Sequence, residues 1–227
     1  MPRPPTKAVL CLHGGGSCKD IFRVQLAGLG RRLTDEFEFI FVNAPYASPA
    51  GPGILPLFAG GEPFYRWFGA GAPMIDSRLG GINAVVRVAI EAWKKTKPES
   101  DVVGIVAFSE GGLAALLLLW QQQLGRLPWL PTLRFATLIC CYFPDEAAEY
   151  MYAKHGGEVA LIKVPTLHLH GRQDFCLAQG RKLVSHHCMS ELAHVLEFEG
   201  GHHCPKTRED CEEAAKRMLQ IARTAEG

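Results

Sequence analysis

The chain has 227 residues, 48% of them hydrophobic, and its 24 basic and 23 acidic side chains leave a formal net charge of +1. That length suits one α/β domain spanning residues 1–227 better than two. The near-zero charge argues against nucleic-acid and acidic-surface partners, and the absence of any 18-residue apolar run argues against a membrane partner.

Met1-Pro2-Arg3-Pro4-Pro5-Thr6-Lys7 has no signal-peptide layout. The eight cysteines, at 11, 18, 140, 141, 176, 188, 204 and 211, include no Cys-x-x-Cys, and several fall inside apolar strands. They read as reduced thiols acting as small hydrophobes in a cytoplasmic enzyme.

Apolar runs rich in β-formers predict strands at 8–12, 37–42, 102–106, 135–141 and 166–170, with a weaker one at 193–198. Helical spacing appears between them. Ile21, Phe22, Leu26, Leu29 and Leu33 form one stripe, and Ile82, Val85, Val86, Ala89, Ile90 and Trp93 form another. Residues 112–124 are apolar nearly all round, as in a helix buried against a sheet, and helices are also expected at 178–188 and 208–222. Strands alternating with helices imply a mostly parallel sheet with helices on both faces.

Residues 44–81 interrupt this rhythm with prolines, glycines and the aromatic run Phe64-Tyr65-Arg66-Trp67-Phe68. A loop of that length in a compact domain is usually functional or disordered, and the aromatics argue against disorder. It is expected to cover a substrate site; the plainer reading is a surface loop pinned by aromatic anchors.

Ala107-Phe108-Ser109-Glu110-Gly111-Gly112 sits between the strand at 102–106 and the helix that follows. Strand, tight turn and helix with a serine at the turn make a nucleophile elbow. Ala107 stands where glycine is more usual, so tightness at the bend is expected there. The bland alternative is a serine that merely caps the helix.

A serine hydroxyl is a weak nucleophile and needs a base. Asp174 follows the strand at 166–170, and His202 follows Gly200-Gly201 just beyond the strand at 193–198. Ser109, Asp174 and His202 therefore occur in the order nucleophile, acid, base expected of an α/β-hydrolase. His203 competes as the base, and Asp145 and Glu146 are alternative acids. After the first strand, His13-Gly14-Gly15-Gly16 can bring backbone N–H groups to an oxyanion. The N–H groups of Gly15 and Glu110 are the expected donors, with His13 structural.

The glycine loop lacks the Lys-Ser/Thr of a P-loop and the spacing of a dinucleotide site, and no cofactor is expected. His186-His187-Cys188 and His202-His203-Cys204 raise a weak zinc-hydrolase alternative, because adjacent residues diverge in direction and zinc ligands usually sit further apart. No metal is assigned.

Ile21-Phe22-Arg23-Val24-Gln25-Leu26, Ala50-Gly51-Pro52-Gly53-Ile54-Leu55-Pro56 and the stretch from Leu118 to Pro131 lie outside these generic motifs. Through them the sequence resembles the fungal-type serine hydrolases, a branch of the α/β-hydrolases, over residues 7–222. The resemblance implies the α/β-hydrolase fold and supports Ser109, Asp174 and His202 as the triad. It also implies a thioesterase of secondary metabolism whose partner is the acyl-carrier domain of a polyketide synthase, with the acyl chain on a phosphopantetheine arm. Two alternatives stand beside it: a carboxylesterase of small esters or lactones, and a binding accessory with a silent triad.

Overall fold

The computed structural model describes residues 7–69 and 75–225. Residues 1–6, and the part of the expected covering loop at 70–74, lie outside the described residues. The elements run β1 (Lys7–Leu12), α1 (Lys19–Gln25), α2 (Ala27–Gly30), β2 (Phe37–Val42), β3 (Tyr46–Ser48), β4 (Phe64–Arg66) and α3 (Ile75–Thr96). They continue with β5 (Asp101–Phe108), α4 (Glu110–Gln123), β6 (Phe135–Ile139), α5 (Asp145–Lys154), β7 (Thr166–Gly171), α6 (Leu177–His187), β8 (Ala193–Phe198) and α7 (Arg208–Thr224).

Six strands form one parallel sheet in the order β2-β1-β5-β6-β7-β8. A parallel sheet must be covered on both faces, so its strands alternate between two cores. Ala8, Leu10 and Leu12 of β1 join a core with Ile82, Val86, Leu116 and Met151 from α3, α4 and α5. Val9 and Cys11 point the other way, onto Phe22, Leu29, Met218 and Ile221 from α1, α2 and α7. Helix α4 is buried from Gly111 to Gln121, as its continuous apolar sequence requires. All eight cysteines are free and buried. Among the described residues no helix is long and apolar enough to cross a membrane.

From β1 the chain moves outward to β2, then returns to place β5 on the other side of β1. Such a reversal opens a crevice at the carboxyl ends of the strands, the usual ligand position in open parallel sheets. The glycine loop after β1 and the turn after β5 both face it.

The 44–81 segment differs in part from its expected form. Residues 75–81 already belong to α3, and β3 pairs antiparallel with β4 in a small second sheet. That ribbon holds the glycine loop: the N–H of Gly16 donates to Tyr65 O at 2.8 Å, and Gly51 N–H donates to Gly16 O at 2.8 Å.

Buried histidines make stability depend on pH. Burial pushes the imidazole of His13 down from its ordinary 6.5 to about 4, and that of His168 to about 3. The unfolded chain therefore binds protons that the folded chain refuses. Stability is fully present above about pH 6.5 and falls as the pH drops through the two folded values. At pH 5, 1.5 units below the unfolded value, each costs about 2 kcal/mol. Urea unfolding at pH 7.5, 6 and 5 is expected to show a falling midpoint concentrated below pH 6.5; a flat midpoint contradicts the neutral, buried assignment.

Candidate active site

Ser109 occupies the turn between β5 and α4 with φ +54°, a left-handed conformation that costs a non-glycine residue about 1–3 kcal/mol. Neighbouring backbone holds it there. Its N–H donates to Ile139 O at 3.0 Å, and its carbonyl accepts from Gly112 N at 2.8 Å and Tyr142 N at 3.1 Å. Although Ser109 stands at the N-cap of α4, its side chain makes no capping hydrogen bond. Its Oγ lies 2.8 Å from His202 Nε2 instead, which removes the reading of a simple helix cap.

His202 Nδ1 lies 2.7 Å from Asp174 Oδ1. That carboxylate oxygen also accepts the Cys176 N–H at 2.8 Å. Burial alone would push the Asp174 carboxyl up. Hydrogen bonds from His202, the Cys176 N–H and the Cys140 thiol outweigh it and hold the group below the usual carboxylate range. An acceptor fixed as carboxylate selects the tautomer with the proton on Nδ1, leaving Nε2 free to accept from the serine hydroxyl.

The aromatic rings of Phe175 and Phe108 flank the imidazole, with centroids 4.2 and 4.9 Å away. His203 also lines the cavity but pairs with other groups: its Nδ1 lies 2.8 Å from Cys204 O and its ring centroid 5.6 Å from that of Phe198. The alternative acid Asp145 is 75% exposed, starts α5 and pairs with Lys182 at 2.6 Å. Glu146 is exposed beside it.

Gly15 and Glu110 line the same cavity as Ser109 and His202. The two lie close enough that a Cβ on Gly15 would come within 2.6 Å of Glu110 Oε2. His13, fully buried behind them, accepts the Ala44 N–H on Nε2 at 3.0 Å, so its Nδ1 carries the proton donated to Gly14 O at 2.7 Å. Its role is to tie the glycine loop to residue 44.

The Glu110 side chain was not legible in the sequence. Its Oε2 accepts the Trp67 N–H at 3.1 Å, which fastens the end of β4 to the elbow. Burial pushes this carboxyl up, opposed by the Trp67 N–H, the Arg66 charge and the Phe68 N–H. Arg66, Phe175 and Cys140 were likewise missed. Only Phe175 had a local signal, as the neighbour of Asp174.

The cavity has a volume of about 630 Å³; Val24, Ile54, Leu57, Phe58, Phe68 and Leu113 give it apolar surface, beside the polar Ser17, Gln25, Arg66, Tyr142 and Lys206. Ile54, Leu57 and Phe58 come from the segment expected to cover the serine. Among the described residues the His-His-Cys triplets do not converge on a ligand set. The one group of three potential metal ligands among those residues is Cys140, Asp174 and His202, within 4.8 Å of one another. Burial, then the Asp174 carboxylate, pushes the Cys140 thiol well up, and as a thiol it donates to that carboxylate.

A family model described as Serine hydrolase (FSH1) matches residues 1–214. An esterase of Penicillium citrinum, mlcF, is 45% identical over 97% of this chain and 92% of its own length. The dihydromonacolin L-[lovastatin nonaketide synthase] thioesterase of Aspergillus terreus is 42% identical over 97% of this chain and 94% of its own. Among solved structures, Zea mays acyl-protein thioesterase 2 superposes with a TM-score of 0.59 at 18% identity, covering 98% of this chain and 96% of that one. Est1E of Butyrivibrio proteoclasticus gives 0.61 at 12%, covering 97% and 91%. Both superpositions bear out the α/β-hydrolase fold.

Proposed function

The chain belongs to the FSH1 serine hydrolase family, and from that premise we propose that it is a thioesterase releasing a polyketide acyl chain from the carrier domain of a polyketide synthase. The observation that carries the reading is the predominantly apolar cavity of about 630 Å³ with Ser109 and His202 in its wall. An extended acyl group can be desolvated there while its carbonyl carbon meets Ser109 Oγ. The relatives named for thioester and ester cleavage support the same choice.

In this reading Ser109 Oγ attacks the thioester carbonyl and its proton passes to His202 Nε2. The negative charge on the carbonyl oxygen is met by the N–H groups of Gly15 and Glu110. Collapse of the adduct breaks the carbon–sulfur bond, and the pantetheine sulfur leaves with the proton held by His202. A water then attacks the acyl-enzyme, giving its proton to His202, and the free acid leaves as Ser109 regains its hydrogen. Asp174 holds the imidazole in the required tautomer and stabilises the imidazolium. Residues 1–227 work as one domain, with the segment around 50–69 covering the reacting atoms.

Of the arginines that could meet an acidic carrier, Arg32 is committed to Gly28 O at 2.7 Å and to Glu212. Arg23 lies over the Phe41 ring. Arg31, the third of them, is exposed; the carrier contact is assigned to the cavity mouth because the phosphopantetheine arm must enter there. A carrier-bound acyl thioester is expected to exceed a free ester of the same acyl group in kcat/KM by about tenfold or more. Equal or reversed values would favour the carboxylesterase reading.

A further inference from the structure

The turn that follows β6 touches all three members of the triad. Ile139 O accepts the Ser109 N–H at 3.0 Å and the Tyr142 N–H donates to Ser109 O at 3.1 Å, so the turn grips the nucleophile's backbone on both sides. Between these anchors stands Cys140, whose own N–H donates to Leu169 O of β7 at 2.8 Å. Its sulfur lies 3.9 Å from Gly201 O and 3.5 Å from His203 O, the carbonyls on either side of His202, and its hydrogen goes to the Asp174 carboxylate. A sulfur facing a carboxylate and two carbonyl oxygens is favoured as the thiol. Cys140 reaches this place at φ +47°, and among the described residues only Ser109 shares a positive φ without being glycine. Glycine takes that conformation without steric cost, so the cysteine side chain stands there against local preference. Such outliers persist where the surroundings hold them, and they cluster at active sites.

We propose that Cys140 is a positioning residue: its thiol fixes the Asp174 carboxylate and the loop carrying His202 against the turn that grips Ser109, and so keeps the three side chains in register. This rests on the triad reading and is indifferent to whether the acyl group arrives as a thioester or an ester. Without the thiol, the carboxylate loses a donor and the His202 loop loses its side-chain contact with the end of β6. The imidazole then has room to swing away from the serine hydroxyl, and the nucleophile is activated less often.

The test follows the second-order rate of Ser109 labelling by a fluorophosphonate from about pH 5 to about pH 9, which reads activation of the nucleophile whatever the natural substrate. Cys140→Ala keeps the Cβ that already sits at φ +47° and should remain folded. It is expected to label about tenfold or more slowly at neutral pH, the scale of a small misplacement of reacting groups. The acid limb of its profile, which reports the coupled Asp174–His202 pair, is expected to move to higher pH, because a carboxylate that has lost a donor is more easily protonated. His170, Cys141 and Cys176, which also feel the Asp174 charge, are the same in every variant. A cysteine that merely fills space would leave the limb where it is. Cys140→Ser, which keeps a donor on a shorter bond, is expected to recover part of both effects. An unmoved acid limb in Cys140→Ala, a labelling rate within about twofold of wild type, or a serine variant no better than alanine overturns the proposal. Should Cys140→Ala lose the far-ultraviolet dichroism of wild type, Cys140→Ser is held to the same two requirements, a slower rate and a shifted limb. Absence of Ser109 labelling in wild type overturns the triad reading itself, whereas a labelled wild type with an unaffected Cys140→Ala overturns only the role of Cys140.

Discussion

Ser109→Ala is expected to lower kcat by about 10⁵-fold, in line with the loss of a nucleophile from a complete triad. The fold should be untouched. Alanine keeps the Cβ that already tolerates φ +54°, and the hydrogen bonds that hold residue 109 in place run through its backbone. Only the Oγ contact to His202 is removed. The unfolding midpoint should therefore match wild type, and labelling by a fluorophosphonate probe should vanish. His202→Ala should cost about as much as Ser109→Ala, because the two side chains act as a unit. The double variant should be hardly worse than either single one. His203→Ala is the contrast: its ring nitrogen is spent on Cys204 O, so activity should stay within a few-fold of wild type. Retention of more than about a tenth of the activity in Ser109→Ala would remove the acyl-enzyme from the mechanism, given the size of loss a nucleophile should cause. A collapse in His203→Ala with a mild effect in His202→Ala would reassign the base.

The elements that bring Ser109, Asp174 and His202 within hydrogen-bond reach of one another were legible because their signals are local. Strand β2 lies at 37–42 as its apolar run predicts, and α4 has the all-round apolar surface of a helix wedged under a sheet. Asp174 and His202 were found by position, each in a loop beyond a strand. What was not legible is mostly contact between distant segments. Helix α5 buries only Ala147 and Met151, too narrow a stripe to stand out as periodicity. Strands β3 and β4 are three residues each, hidden among prolines and glycines, and gain their order by pairing with each other. The helical stripe at 21–33 is real but divides at Leu26 into α1 and α2. Strand β6 stops at Ile139, short of its expected end, because Cys140 turns to φ +47° and brings its thiol under Asp174. Arg66 and Glu110 are 44 positions apart, and no spacing rule connects them.

Gly111→Ala is expected to cause the largest loss of stability. The motif drew attention to Ala107 as the residue where the bend should be tight. Ala107 is fully buried in β5 between Leu12 and Leu138, and its methyl group is accommodated as part of the core. The crowding falls four residues later. A Cβ on Gly111 would lie 2.4 Å from Leu12 O and 2.5 Å from His13 O. These are backbone atoms at the end of β1, which is paired on both sides in the sheet and cannot withdraw as a flexible side chain could. Relief would have to come from α4 moving off the sheet, which would carry the Glu110 N–H and the elbow with it. Overpacking of this kind against fixed backbone is expected to cost about 3 kcal/mol or more. Activity should fall even at temperatures where the variant stays folded. Ala107→Gly supplies the comparison. It removes a methyl group and adds backbone freedom, so it should cost about 1 kcal/mol and leave kcat nearly unchanged. Denaturant unfolding and steady-state kinetics on the two variants separate the positions. If Gly111→Ala were as stable and active as wild type, the close crossing of β1 and α4 would not be what shapes the elbow. If Ala107→Gly were the more damaging change, the tight point would lie in β5 after all.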